Sequence, residues 1–184
     1  AMHLCDKAFA GSDTLATAYT LAKAIKKLSY DLIICGKQAI DGDTAQVGPE
    51  LAEQLGIPAI IGVKKVEVNP DERKVRAHRE TDEGYEILEC EMPALLTAIK
   101  GLNEPRLPTL KGIIGARKKE IKLTTASDIE EDGNLFGLEG SATWVSKVFA
   151  PQIKHECVMI RSEDPRAAAK ELVDKLIDMG VISK

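Results

Sequence analysis

The chain has 184 residues, of which 44% are hydrophobic and 29% are charged, with a formal net charge of −4. These values are ordinary for a globular domain with or without appendages, and they argue against nucleic acid or an anionic membrane as a partner. Aromatic residues, at 4%, are too few for a base-stacking surface, and no apolar run reaches the roughly 20 residues of a membrane span.

The four cysteines lie far apart in the sequence and lack the close pairs that zinc sites use. Cys35 and Cys157 adjoin apolar runs and are expected in the core. We therefore expect neither a metal site nor a disulfide, and a reducing, cytoplasmic compartment. The start AMHLCDKAF has no basic and apolar signal segment.

The first third of the chain predicts alternating helices and strands. Asp13 is a good N-cap, and apolar residues follow it at helical spacing. Residues 31–35 and 59–63 are short β-branched runs, typical of strands that are buried on both faces. Between them, the loop at residues 36–48 leads into a helix that Gly56 should end. This order predicts a Rossmann-like parallel sheet with helices on its faces.

The pattern changes at residue 64 to alternating polar and apolar side chains. Residues 64–68 and 74–79 flank a turn at 69–72, and residues 85–91 continue the alternation. Such segments predict antiparallel hairpins. Residues 93–99 are apolar again and should complete the core sheet as a buried strand.

The C-terminal third is less regular. Residues 127–140 are acidic, rich in glycine and aperiodic, which predicts an extended linker. Strands are expected at 144–149 and 157–160, and an amphipathic helix after Pro165.

We predict two regions from these patterns. Residues 1–126 form a nucleotide-binding α/β domain, and residues 127–184 form a linker and a C-terminal arm with a helix. No strand is predicted before the first helix, although an α/β sheet normally opens with one. The N-terminal part of the natural domain is therefore expected to be absent.

The loop at residues 36–48 carries the strongest ligand-binding signal, because it follows a buried strand and enters a helix. Thr44 and Gln46 could donate to phosphate oxygens, whereas Asp41 and Asp43 suit turn capping or ribose hydroxyls. Three glycines permit tight turns and close backbone approach: Gly36, Gly42 and Gly48. The segment is neither a Walker A loop nor GxGxxG. The residues alone leave open a phosphate loop and an ordinary turn rich in aspartate and glycine.

A second helix start, at residues 11–14, presents backbone N–H groups and hydroxyls in the same way. Simple N-capping explains it by itself. Two such starts in adjacent units favour a shared ligand.

Three segments resemble one protein family. DLIICGKQAIDGDTAQVGPELAEQLGIP closely resembles the nucleotide loop of electron transfer flavoprotein β subunits, and DKAFAGSDTLATAYTLAKAI resembles the segment before it. PALLTAIKGLNEPRLPTLKGIIGARKKEI resembles a later stretch. The similarity is collinear from residue 6 to about residue 121 and weaker beyond. It implies an adenine nucleotide hydrolase-like α/β fold and an electron carrier that is not itself an enzyme.

The resemblance also implies which residues hold a cofactor. In some members the loop wraps AMP, and in others a second FAD. DGDTAQVGP and AFAGSDTLAT look like the FAD-holding variant that performs electron bifurcation. Lys7 stands where arginine is common, which keeps the charge but loses the bidentate fork. The cofactor-binding residues carried over are Gly11, Asp13, Thr14, Thr17, Gly36, Lys37, Gln38, Ala39, Ile40, Asp41, Gly42, Asp43, Thr44, Ala45, Gln46 and Val47.

The implied partners are the α subunit, which shares the redox FAD, and an acyl-CoA dehydrogenase or related flavoprotein. NADH-linked transfer is a further expectation. Residues 109–119 resemble the family's recognition loop, with Leu110 as an apolar anchor and Ile113 beside it. Its basic rim would be Arg117, Lys118 and Lys119. Composition alone predicts only a surface amphipathic helix followed by solvated charges.

Two alternatives remain at this stage. One is a nucleotide-binding α/β domain of the ATP-pyrophosphatase or universal-stress type, which would need an SGGxDS-like or GxxG-type motif that the sequence lacks. The other is a scaffolding role for the α subunit with AMP bound.

Overall fold

The computed structural model describes residues 1–129, 135–150 and 157–182. The chain divides into two compact units, Ala1–Val145 and Ser146–Lys184. None of the helices described in these residues is long and apolar enough to cross a membrane. The strands are β1 (Met2–Leu4), β2 (Leu32–Gly36), β3 (Ala59–Asn69), β4 (Lys74–Thr81), β5 (Gly84–Glu91), β6 (Ala94–Ala98) and β7 (Lys122–Thr124). The helices are α1 (Thr14–Ile25), α2 (Val47–Leu55), α3 (Leu110–Arg117), α4 (Ala126–Ile129) and α5 (Pro165–Asp178).

The main sheet has the strand order β2-β6-β3-β4-β5. β6 pairs in parallel with both β2 and β3, whereas β3, β4 and β5 pair antiparallel. This arrangement confirms the predicted parallel sheet with an antiparallel hairpin excursion. The helix α2 ends at Gly56, whose φ of 68° is the left-handed conformation expected of a glycine C-cap.

The core lies on both faces of β6. Leu95 packs with Ala18 and Ala22 of α1 and with Leu51 of α2. Leu96 packs on the other face, in a cluster that includes Val63 and other residues of the hairpins. Adjacent side chains of a strand point to opposite faces, so one central strand joins the helix layer to the hairpins.

The prediction that β2 is buried on both faces is wrong. Ile34 is 58% exposed, and the other residues of β2 are exposed or only partly buried. The reason is position, because β2 is an edge strand whose one neighbour among the described residues is β6. Residues 59–63 are also not buried on both faces, because Ile60 and Val63 are buried while Ile61 is exposed.

A strand does precede the first helix, so the prediction that none exists is wrong. β1 pairs in parallel with β7 in a separate two-stranded sheet. It has three residues, one of them His3, and so gives no apolar run by which it could be recognised. Its partner lies more than a hundred residues away in the chain.

The prediction of an extended linker at residues 127–140 is wrong for the residues that are described. Ile129 and Phe136 are buried with Ala24 of α1. The ring of Phe136 meets that of Phe9 edge to face, with 5.3 Å between centroids. The few apolar side chains of this acidic segment have no helical or alternating spacing, which is why the pattern did not indicate that two of them are buried. These described residues belong to the first compact unit, which ends at Val145.

The second unit contains α5 as predicted, capped by Asp164 and followed by Gly180 with a φ of 71°. Residues 144–149 and 157–160 have no regular secondary structure, so the strands predicted there are wrong. A strand needs a hydrogen-bonding partner as well as β propensity, and these segments have none among the described residues. Cys157 is exposed, contrary to its predicted place in the core.

Candidate functional site

An open cavity of about 810 Å³ lies where β2 ends and where α1 and α2 begin. This volume is within the range of small-molecule and cofactor sites. The predicted cofactor-binding residues that line it are Asp13, Thr14, Thr17, Gly36, Lys37, Gln38, Ala39, Asp41, Gly42, Thr44, Ala45, Gln46 and Val47. The two helix starts that the sequence suggested would share a ligand thus border one cavity.

Three of the predicted residues do not line the cavity. Gly11, with a φ of 76°, packs against Leu138, and Ile40 is fully exposed. Asp43 accepts a hydrogen bond from the Gln38 side chain instead. Ser12, Cys35, Gly48, Thr143 and Val145 line the cavity without having been assigned to it.

The loop between β2 and α2 is held by one hydrogen bond to β6 and by others within the loop. Lys37 N–H donates to Ala98 C=O of β6 at 3.1 Å, and Asp41 accepts from Gly42 N–H at 2.9 Å. Asp41 thus holds the turn, which is one of the two roles predicted for it. Asp43 and Ala45 have φ values of 52° and 55°. Left-handed residues other than glycine cost on the order of 1–3 kcal/mol and cluster at ligand sites.

The start of α1 is closed by side chains. Asp13 is its N-cap and accepts from Ala16 N–H at 3.0 Å. Its other oxygen accepts from Thr143 N–H at 2.9 Å and from the Thr143 hydroxyl at 3.0 Å. Partial burial raises the pKa of the Asp13 carboxyl, but these hydrogen bonds outweigh it and leave the pKa below its usual value. Asp13 is therefore ionised and already bonded to protein donors.

The start of α2 is open by comparison. Gln46 precedes the helix with a helical backbone (φ −93°, ψ −34°) and makes no side-chain capping bond. Pro49 has no N–H and Glu50 N–H donates to Gln46 C=O at 3.0 Å. The N–H groups of Val47 and Gly48 lack partners within the helix and carry partial positive charge, so they suit an anion. Gly48 lets the helix start approach β6, since a Cβ there would lie 2.5 Å from Thr97 Cγ2.

The charged side chains of the lining do not favour an anion by themselves. Lys37 is basic, while Asp13 and Asp41 are acidic and make the hydrogen bonds described above. Backbone dipoles at α2 therefore have to supply much of the attraction for a phosphate. The Cys35 thiol also borders the cavity, and burial raises its pKa, which keeps it protonated and a poor nucleophile. The arrangement is suited to binding rather than to covalent chemistry.

Comparison with known proteins identifies the family. Residues 1–129 match the family model described as the electron transfer flavoprotein domain. The chain belongs to the electron transfer flavoprotein family. It is 50% identical over 180 residues to the electron transfer flavoprotein subunit beta of Thermoanaerobacterium thermosaccharolyticum, covering 97% of this chain and 68% of that one. It is 49% identical over 176 residues to the subunit beta of Clostridium acetobutylicum, with 96% and 67% covered.

A third relative has a more specific description. The chain is 39% identical over 180 residues to the caffeyl-CoA reductase-Etf complex subunit CarD of Acetobacterium woodii, covering 97% of this chain and 68% of that one. The resemblance inferred from three segments is therefore confirmed over nearly the whole chain. As an electron transfer flavoprotein β subunit, it is an electron-carrier subunit of a heterodimer. The ATP-pyrophosphatase and universal-stress alternatives are set aside.

The predicted recognition segment of this β subunit is a short exposed helix. Thr109 caps α3 and accepts from Gly112 N–H at 3.1 Å. No residue of α3 is buried, and Leu110 is 74% exposed. The predicted docking residues all lie on α3 or directly after it: Leu110, Ile113, Arg117, Lys118 and Lys119.

Thr143 and Val145 are the site residues that sequence reasoning missed most clearly. They reach the cavity from a segment about 130 residues beyond Asp13 in the chain. Neither forms a motif, and both follow a stretch without periodicity. We find no signal in the single sequence that could have placed them there.

Proposed function

We propose that the loop at residues 36–48 and the start of α2 hold an adenine nucleotide in this β subunit. Membership of the family implies flavin or AMP binding in general terms. The observation that supports this site is the uncapped start of α2 at the carboxyl end of β2, beside two left-handed loop residues. In open α/β sheets, ligands bind at this edge.

The residues around the cavity provide hydrogen-bond donors and a positive charge for the phosphates of such a ligand. The N–H groups at the start of α2, with the Thr44 hydroxyl and the Gln46 amide, bind phosphate oxygens. Lys37 supplies a positive charge to the same groups, and Gly48 keeps the helix start close to β6. Asp41 fixes the turn that carries these donors.

We infer further that the nucleotide is FAD and not AMP. The cavity of about 810 Å³ has room for more than a mononucleotide. The loop sequence DGDTAQVGP resembles the FAD-holding variant of the family, as described in the sequence analysis. When bound, FAD supplies one- and two-electron transfer through its flavin, while this chain binds and orients it. Such a second flavin, besides the FAD shared with the α subunit, is what NADH-linked electron bifurcation would require.

The partners follow from the relatives and from α3. One relative is a subunit of a complex with caffeyl-CoA reductase. We propose that this chain pairs with an electron transfer flavoprotein α subunit and exchanges electrons with an acyl-CoA dehydrogenase or related flavoprotein. Leu110 and Ile113 provide an apolar centre for docking, and the basic residues after them favour rapid encounter.

Residues 127–184 are proposed to contribute to the contact with the α subunit. Several apolar side chains of the second unit are exposed in this chain, including Val148, Phe149 and Met159. The cytoplasmic location stays a prediction and rests on four free cysteines.

The test is the nucleotide content of the heterodimer. This chain is co-expressed with its α subunit, and the bound nucleotides are extracted and counted. Two FAD per heterodimer support the proposal, and one FAD with one AMP supports the site but rejects its FAD assignment. One FAD alone would reject the site. Lys37→Gln should lower only the second nucleotide's occupancy, whereas Lys100→Gln, an exposed lysine outside the cavity, should not.

Docking through α3 is tested by electron-transfer kinetics. Leu110→Ala should slow transfer to a partner acyl-CoA dehydrogenase about tenfold, the effect of losing roughly 1.4 kcal/mol of interface energy. Its flavin content should stay as in the unmodified heterodimer. Ile87→Ala, an exposed apolar change on β5, is the matched control. Equal rates for the two variants would exclude docking through Leu110.

A further inference from the structure

Residues 135–143 are fixed against the segment that precedes α1. Leu138 N–H donates to Ala10 C=O at 3.1 Å. A Cβ on Gly137 would lie 2.3 Å from Ala8 O, so this contact requires glycine. The Ser141 hydroxyl accepts from Asp13 N–H at 2.8 Å and donates to Gly137 C=O at 2.7 Å.

Asp13 is the residue at which these contacts converge. Its N–H is bonded to Ser141, one carboxylate oxygen to Ala16 N–H, and the other to both the N–H and the hydroxyl of Thr143. A carboxylate engaged by three donors is ionised and has little capacity left for a ribose hydroxyl. This differs from the ligand-binding role that the sequence suggested for it.

The segment that Asp13 holds is also part of the cavity. Thr143 and Val145 line it together with residues of the loop at 36–48, from which they are distant in the sequence. Thr143 is thus hydrogen-bonded to Asp13, the N-cap of α1, and also lines the cavity. Val145 is the last residue of the first compact unit.

We propose that Asp13 is a positioning residue, which holds Thr143 and Val145 in place as one wall of the nucleotide cavity. Nucleotide binding and the docking of residues 141–145 are then coupled. Each stabilises the other by the same free energy, because such coupling is reciprocal. This inference rests on the proposed nucleotide site. It adds to that site the residues at the end of the first compact unit.

The first test is a double-mutant cycle on nucleotide affinity. FAD is titrated by calorimetry into the heterodimer after its cavity nucleotide has been removed. Thr143→Val, which loses the hydroxyl but keeps the size, should weaken FAD binding about tenfold, equivalent to roughly 1.4 kcal/mol. Thr143→Ser should restore it, because the hydroxyl returns. Asp13→Asn should also weaken binding.

The double variant separates positioning from direct contact. If Asp13 acts through Thr143, Asp13→Asn adds little to Thr143→Val. Independent, multiplying losses of affinity would overturn the inference, as would unchanged affinity in Thr143→Val. Failure of the unmodified heterodimer to bind FAD or AMP would instead overturn the nucleotide site, and the coupling with it.

Limited proteolysis gives a second readout, because it reports whether FAD stabilises the segment that ends at Val145. Lys147 is exposed and follows the held segment directly. FAD should slow tryptic cleavage after Lys147 in the unmodified protein and in Thr143→Ser, but not in Thr143→Val. Equal protection in all three would contradict the coupling.

Discussion

The two helices that border the cavity begin in opposite ways. α1 starts at a carboxylate that caps it, and this carboxylate is itself bonded to residues near the end of the first unit. α2 starts without any side-chain cap, after a loop with two left-handed residues. Both starts looked like anion sites in the sequence. This difference is why the proposed ligand is assigned to the start of α2, while α1 is assigned a supporting role.

The general lesson is that a helix N-terminus is available to a ligand only if the protein has not already used it. An N-cap carboxylate satisfies donors and places a negative charge where a phosphate would lie. An uncapped start, kept in place by close packing on a strand, leaves its N–H groups free for binding.

The largest effect is expected from removing the side chain of Phe136, which packs against α1. Phe136→Ala deletes a buried ring that packs against Phe9 and Tyr19. Such deletions cost about 3–5 kcal/mol in free energy of unfolding, which urea denaturation measures. Phe149→Ala changes an exposed ring and should stay within about 0.5 kcal/mol. Equal stabilities would show that residues 135–145 do not support α1.

The next largest effect on stability is expected at the start of α2, where Gly48 packs close to β6. In Gly48→Ala the new methyl group meets Thr97, whose hydroxyl accepts from Gly62 N–H at 2.9 Å and so restrains its rotation. Overpacking of this kind costs about 1–3 kcal/mol, and displacement of the helix start should also lower nucleotide occupancy. Gly115→Ala in α3 has open space and should stabilise the protein by up to about 1 kcal/mol. A neutral Gly48→Ala would mean that α2 can move.

A smaller and more specific effect tests whether the start of α2 binds phosphate. Gln46→Asp places a negative charge at the start of α2 and should stabilise the nucleotide-free protein by about 0.3–1 kcal/mol. The same charge repels phosphate and should weaken FAD binding. Gln46→Asn shortens the side chain without adding a charge and should weaken FAD binding much less than Gln46→Asp does. Equal affinities for the two variants would place the phosphates elsewhere.

The smallest effect is a pH dependence on the α1 side. The pKa of Asp13 is lowered in the folded protein from its usual 3.8, so its stabilising contribution is present above that value. It is lost as the pH falls through the folded pKa, because the unfolded chain takes up the proton first. Urea midpoints between about pH 5 and pH 3 should fall more steeply for the unmodified protein than for Asp13→Asn. Parallel curves would contradict the bonded carboxylate.

How far the sequence could predict this molecule depends on how local each signal is. The cap at Asp13, the glycine end of α2 and the hairpin turn at 69–72 are set by residues within a few positions, and all are correct. The exposure of Ile34 depends on which strand lies at the sheet edge, which no local pattern contains. The bond from Asp13 to Thr143 joins residues 130 positions apart, in a segment whose composition indicates only a linker.

The position of β6 has a consequence for the order in which the molecule assembles. β6 lies between β2 and β3 in the sheet but follows both in the chain. The hairpins of β3, β4 and β5 close through neighbouring residues and can form early, whereas β2 and β3 are joined only when β6 inserts. Lys37, at the start of the loop, is bonded to the last residue of β6. During synthesis the loop at residues 36–48 therefore gains this bond only after residue 98 has left the ribosome, and we expect the proposed nucleotide site to form late in folding.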